Sequence, residues 1–267
     1  MVTDLPARRT LTPSSFLTMP PVHTRALILH AFPYGETSKI VRLLTREHGS
    51  QSAIAKGAQR PKSPFGARLQ VLSEGTAHVY IKPHRDLHTL ADFDVTRQHE
   101  ELARDLRRFA AAAALAELLI RLCPAEPHPE IYDLTVSSLV QLETVPGEAL
   151  DLASLSVLWA AVEALGFAPQ LDACARDGRA LPAGAAVFSV ADGGFLCARC
   201  ARGTRSARLG ADDRRVLQRL IAGEVADIAL LDAKHAAAHR RLLVRFVERH
   251  LAEDRELKAL AMWRELA

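Results

Sequence analysis

The sequence predicts an α+β fold in three parts: a small five-stranded barrel, a bundle of helices, and a short cysteine-bearing insert within the bundle. Three observations predict it. The first hundred residues break into strand-length apolar runs with no long amphipathic helix among them. From Thr96 the apolar period becomes helical. The helical pattern is interrupted once, from Leu171 to Cys200, by a segment rich in Gly and Cys.

The strand-length runs are Ala26 to Phe32, Ile40 to Leu44, Ala53 to Ala55, Val71 to Ile81 and Leu87 to Phe93, each bounded by Gly, Pro or Asp. Five short strands within residues 22–95 favour a closed OB-fold barrel over a sandwich, which usually takes about seven. Such a barrel suits single-stranded nucleic acid. No carboxylate occurs between Glu47 and Glu74, whereas Lys56, Arg60, Lys62 and Arg68 all fall there, around Gly57 and the Pro61 to Pro64 turn. Cations concentrated on one loop are what a phosphate backbone needs, and Lys39 and Arg42 on the second run extend the set. The plain alternative is a solvated basic loop. The aromatics of this part are Phe32, Tyr34, Phe65, Tyr80 and Phe93, several of which read as core, so phosphate contacts should dominate and binding should be nearly indifferent to sequence.

In the helical part, residues 96–170 and 211–267, Leu102, Leu106, Phe109 and Ala113 lead into Leu115 to Leu122, with Glu100 and Glu101 in the first turn and Arg121 in the last, as the helix dipole prefers. Pro124 and Pro127 end that helix. A second runs from about Pro129 to Glu143 and a third from about Leu150 to Leu165, where Gly166 supplies the stop. Arg214 to Ala222, Ala233 to Leu251 and Arg255 to Leu266 carry further helical patterns.

With 267 residues the chain can hold several small domains. No apolar run approaches the ~20 residues that span a bilayer, so a membrane role is not expected. The net charge of +3 conceals a polarity: residues 1–100 carry 13 Lys and Arg against 8 Asp and Glu, and the remainder 21 against 23, so an anionic partner belongs at the front. Four cysteines without a secretory signal pattern indicate a cytosolic protein. Residues 1–21, rich in Pro, Ser and Thr, read as a disordered tail in which Met19 offers an alternative start.

The insert, residues 171–210, holds Cys197 and Cys200 at C-x-x-C spacing after Gly193-Gly194, and Cys174 followed three residues later by Asp177. A zinc ribbon needs two such knuckles, because each short loop sets two ligands on one side of a tetrahedron. Cys174, Asp177, Cys197 and Cys200 are therefore a candidate zinc site in which carboxylate replaces the usual fourth thiolate. The alternative is a metal-free hairpin packed through Phe188 and Phe195. Without the metal the fold should survive, on the expectation that the insert sits outside the bundle core.

Enzymatic signatures are weak. His128-Pro129-Glu130 with Cys197 and Cys200 echoes the zinc deaminase pattern but lacks the proline before the cysteine pair and leaves Cys174 unexplained. His235 and His239 are spaced for a shared metal, but Ala236 stands where a zinc protease carries Glu, and an exposed helical pair is the simpler reading. No phosphate-binding Gly loop, dinucleotide fingerprint or nucleophile elbow is present, so no enzymatic activity is expected.

Gly35-Glu36-Thr37 leading into Ile40 to Thr45, then Gly49, Ala55-Lys56-Gly57-Ala58, Arg60, Lys62-Ser63 and Asp86-Leu87, resembles the N-terminal barrel of the RecO DNA repair and recombination proteins. Leu165 to Leu171 (LGFAPQL) before Cys174, with Phe188-Ser189, Gly193-Gly194 and Cys197-x-x-Cys200 after it, resembles that family's junction of bundle and finger; Asp177 departs from it. The resemblance implies a mediator of the RecF pathway of recombinational repair, cytoplasmic and nucleoid-associated. Proteins like this bind single- and double-stranded DNA, anneal complementary strands, and with a RecR partner help load RecA on strands covered by single-strand-binding protein (SSB). By the same resemblance Lys56, Arg60 and Lys62 fall on the family's basic loop and Cys174, Cys197 and Cys200 on its finger. The acidic SSB C-terminal tail should dock in an apolar groove of the helical part rimmed by basic residues, for which Arg104, Arg107, Arg108 and Arg121 are candidates. The competing reading is a zinc-ribbon scaffold or transcription-associated module whose barrel contacts protein.

Overall fold

A computed structural model describes residues 20–82, 84–204, 206–225, 228, 230–253 and 255–266; Met19, nearly all of the expected tail and Arg205 lie outside them. Strands β1 (Val22–Tyr34), β2 (Ser38–Thr45), β3 (Gly49–Ala55), β4 (Glu74–Tyr80) and β5 (His88–Arg97) close into a barrel in the order β1-β2-β3-β5-β4, with β1 paired to both β2 and β4. All pairings are antiparallel except β3 with β5. The period-2 pattern explains closure: Ile28, Val41, Leu43, Ala53, Ala55, Ala77, Val79 and Phe93 fill the interior. Leu27, Leu29 and Leu44 project from the other face into the helical core. Within the Val71 to Ile81 run, β4 begins only at Glu74, because Leu72 takes a positive φ of 67° and donates its N–H to Ile28 O, while Ile28 N–H donates to Ser73 O. At its far end β5 runs on to Arg97, past the predicted Phe93.

The first helical stretch is two helices, α1 (Glu100–Arg104) and α2 (Leu106–Leu122), where the sequence reads as one. Asp105 divides them: its backbone is extended and its carboxylate accepts from the N–H groups of Arg107 (2.8 Å) and Arg108 (3.1 Å), starting α2 afresh. Next come α3 (Pro129–Thr144), which has Pro at its first turn, and α4 (Leu150–Ala164). The latter is apolar nearly all round and is the centre of the bundle, with Trp159 fully buried against Phe246 (ring centroids 5.4 Å). Helices α5 (Ala211–Ile221), α6 (Ala233–Leu251) and α7 (Lys258–Glu265) complete it.

The start of α7 has no cap of its own, and α2 supplies one: Glu117 accepts from the N–H groups of Lys258 (3.1 Å), Ala259 (2.8 Å) and Leu260 (3.2 Å). Glu117→Ala should cost about 1–2 kcal/mol and lower the thermal midpoint by several degrees, with Glu117→Gln recovering part of it. Scanning calorimetry showing an unchanged midpoint in Glu117→Ala would mean that water serves those donors equally well.

Barrel and bundle meet closely. Gly49 has a positive φ of 65°, and a Cβ there would fall 2.1 Å from the Glu126 carbonyl oxygen; Ser50 N–H donates to Pro124 O at 2.9 Å. Arg46 and Arg25 both reach Asp133, at 2.9 and 3.3 Å, and the Arg46 hydrogen bond holds that carboxyl below the usual range. Burial works against the charge on Glu143, but hydrogen bonds from His99 (3.0 Å) and Arg97 (2.6 Å) outweigh it and lower its pKa.

The insert carries a small sheet, β6 (Ala186–Ser189), β7 (Gly194–Leu196) and β8 (Ala207–Leu209), in the order β7-β6-β8. It does not sit outside the bundle core, which corrects the expectation from sequence. Leu171, Phe188, Phe195 and Leu209 belong to the same buried cluster as α4 and α6, and the Phe188 ring lies 6.2 Å from Phe246. Both phenylalanines pack edge to face at 5.4 Å, as two fully buried rings prefer. The sequence could not show this, since helical and strand periods say which face is apolar but not which face covers it.

Candidate nucleic-acid interface and metal centre

The β3–β4 loop is anchored from within and tied down from the side. Phe65 and Leu69 are buried in the barrel. Gln59 binds the β1–β2 hairpin tip, its N–H donating to Thr37 O at 2.9 Å and its side-chain amide to Ser38 O at 2.7 Å. Gly57, at a φ of 72°, makes the turn and Arg60 N–H closes it on Gly57 O at 3.1 Å. Lys56, Arg60 and Lys62 are thereby presented exposed on an ordered loop, with no ion-pair partner among the described residues. A cation so placed exchanges small counterions for a phosphate without first breaking a protein contact.

Arg68 differs in kind. It is drawn back onto the barrel by Asp92 (2.9 Å), Asp94 (3.9 Å), Phe93 O (3.2 Å) and Pro64 O, so its charge is already matched. Lys39 is half-buried, and Arg42 is exposed on β2 beside Ser52. The carboxylate-free run in the sequence did not reveal Arg68's partners, because they come from β5, more than twenty residues downstream.

The four candidate metal ligands come together: ligand atoms of Cys174, Asp177, Cys197 and Cys200 all lie within 4.8 Å of one another. Two tight turns place them. Gly178 N–H donates to Cys174 O (2.8 Å), bringing Asp177 back over Cys174, and Ala201 N–H donates to Cys197 O (2.9 Å), bringing Cys200 over Cys197. Gly194 holds the knuckles together, since a Cβ there would lie 2.3 Å from Gln170 O. Asp177 accepts from the Cys200 thiol at 3.3 Å and from Cys197 at 3.6 Å. The hydrogen bond with Cys174 contributes most to holding its carboxyl well below the usual range, while burial, followed by Asp177, pushes the Cys200 thiol up to about 12. Arg199, 2.9 Å from Asp177, balances the carboxylate. Three thiols and one carboxylate converging from two knuckles fit a tetrahedral zinc ion, which bound as thiolate and carboxylate would cross-link the two loops.

The other residues singled out from sequence are scattered. His235 is exposed and paired with Asp232, whereas His239 is buried 3.4 Å from Asp213, so they share no ligand site and the exposed-pair reading fails for His239. Arg104 pairs with Glu100 and Glu101 on its own helix, Arg107 with Asp151 at 2.8 Å, and Arg108 donates to Leu142 O and Val145 O at the end of α3. Arg121 rims a depression of about 190 Å³ lined also by Leu122, Leu251, Ala252, Glu253, Arg255 and Leu257, in which Arg255 pairs with Glu253, whereas Arg107 lines a much smaller cleft beside Leu150, Trp263 and Leu266. Arg255, not singled out from sequence, reaches it only through the turn before α7.

Comparison with known proteins agrees with this architecture. The model of the recombination protein O N-terminal domain matches residues 19–99 and that of its C-terminal domain residues 103–260. A protein named DNA repair protein RecO from Anaeromyxobacter dehalogenans (strain 2CP-C) is 36% identical over 234 residues, 86% of this chain and 91% of that protein. The one from Salinibacter ruber is 35% identical over 179 residues, 65% of this chain and 66% of its own. That from Desulfitobacterium hafniense (strain Y51) is 32% identical over 179 residues, 67% and 64%.

Proposed function

The chain belongs to the RecO family of DNA repair proteins, with a role in recombinational repair, and from that premise we propose that it binds single- and double-stranded DNA through the barrel and anneals complementary strands without catalysing a covalent step. The observation that carries the reading is the β3–β4 loop, which offers Lys56, Arg60 and Lys62 to solvent unpaired. Two strands approaching each other repel through their phosphates; cations on an ordered loop offset that repulsion, and base pairing then supplies the driving free energy. In this reading a RecR-like protein cooperates in loading RecA onto SSB-covered strands. The acidic, apolar-ended SSB tail docks in the depression beside Arg121, where Leu122, Leu251 and Leu257 receive its apolar end and Arg121 its acidic stretch, while Arg255 is already paired with Glu253. The protein acts in the cytoplasm at the nucleoid; no helix among the described residues is long and apolar enough to cross a membrane.

Annealing of two complementary labelled oligonucleotides, followed by energy transfer without nucleotide, tests the reading. The expected result is a protein-dependent acceleration that fades as salt rises through a few Debye lengths' worth of screening. Equal rates with and without protein at low salt would leave the scaffold function as the better account. For the tail, Arg121→Glu should abolish calorimetric heat with an SSB tail peptide while leaving DNA binding intact; unchanged heat would move the docking site elsewhere.

A further inference from the structure

We propose that His30, Phe32 and Tyr34 form a base-stacking strip on the outside of the barrel, which takes the unpaired bases of a single strand whose phosphates the adjoining loop holds. The proposal rests on the DNA-binding reading above and deepens it.

The strip is created by a bulge. Between Ile28 and His30 the register of β1 on β2 shifts, leaving Leu29 as the extra residue. Before the bulge Ile28, opposite Leu43, faces the barrel interior; after it Ala31, opposite Val41, faces inward instead. The shift turns His30, Phe32 and Tyr34 to the outer face. There the His30 and Phe32 rings lie 5.6 Å apart, and Tyr34 is 52% exposed. Phe32 is half-buried but belongs to neither buried apolar cluster, and its cross-strand neighbour Ile40 is in the same position. Large rings held outward on a rigid strand make an apolar strip that the fold itself does not use.

Its surroundings select the occupant. Arg42 stands directly across from His30, and the hairpin tip that carries Tyr34 is bound by Gln59 to the loop of Lys56 and Arg60. An aromatic strip flanked by unpaired cations matches a polyanion with apolar faces, which a single strand is and a duplex, whose bases are already stacked, is not. The spacing also suits it. Alternate residues of a strand stand about 6.7 Å apart, roughly twice the ~3.4 Å rise of stacked bases, so successive bases of an extended strand can each meet a ring.

The test titrates the full chain with three labelled ligands of equal charge at one salt concentration: an ordinary single strand, the same backbone made abasic, and a duplex. The wild-type protein should bind the abasic strand about tenfold more weakly than the base-bearing one, since stacking is removed and phosphates are kept. Tyr34→Ala should shrink that difference with the salt slope unchanged; Tyr34→Phe, which keeps the ring, should preserve it. Equal binding of abasic and ordinary strands by the wild type would overturn the strip while leaving phosphate binding standing, and binding of neither would overturn both. A Tyr34→Ala variant that retains the full difference also overturns it, as does one that loses self-association in sedimentation without any change in the difference, which would make the face a contact between copies.

Discussion

Reversing Lys56, Arg60 and Lys62 to glutamate should weaken binding of single-stranded DNA by about a hundredfold at 0.1 M salt, whatever the sequence. Each phosphate contact on a single strand contributes roughly −0.7 to the slope of log K against log salt, so three give about −2, and at 0.1 M that slope alone is worth about two decades relative to 1 M. Both quantities should change together: the triple variant binds less tightly and its slope is flatter by about 2. The thermal midpoint should hardly move, because the three side chains are exposed and bear no ion pair among the described residues. Arg68→Glu is the contrasting case. It places a third carboxylate beside Asp92 and Asp94, so it should lower stability more than it changes the salt slope. Anisotropy titrations over a salt series, with melting curves of the same preparations, read both. An unchanged slope in the triple variant would move the phosphate surface off this loop, to the finger's Arg199, Arg202 and Arg208.

Stripping the metal should unsettle the helical half of the molecule as well as the finger. Purified protein is expected to hold about one zinc, and Cys174→Ala to lose it, because each ligand removed from a four-ligand site opens it to water. The rings behind the knuckles, Phe188 and Phe195, share their buried cluster with Trp159 and Phe246, so a loosened finger exposes part of the bundle core. Chelation should lower the thermal midpoint by about 10 °C. Asp177→Cys should bind zinc more tightly and melt higher, since thiolate is the softer ligand. Protein free of zinc after growth in zinc-replete medium, melting at the same temperature with and without chelator, would remove the metal from the account and leave the site as a hydrogen-bonded cluster of thiols around Asp177.

Much of this was legible because it depended on local order. Strand and helix periods, Gly57 at its turn, Pro129 at its helix start and the two knuckles are short-range patterns, and the structure bears out the barrel, the helices apart from the break at Asp105, and the convergence of the four ligand residues. Asp105 was misjudged as mid-helix because its capping role depends on a backbone turn that apolar periodicity does not register. His30, Phe32 and Tyr34 were read as core or passed over because a one-residue bulge reverses every side chain after it, and the bulge carries no composition signal of its own.

By itself, then, the chain's sequence determined the order and type of most elements, the charged loop and the set of possible ligands, since these follow from side-chain type and spacing along the chain. Tertiary structure alone decided which charges remain unpaired and which apolar faces remain uncovered. Arg68 is matched by β5, Glu117 caps a helix 141 residues away, and the finger is sealed against α6, all through contacts between segments remote in sequence. Whether a cation or a ring is available to a partner depends on what the fold has already placed beside it, and no periodicity in the chain encodes that neighbour.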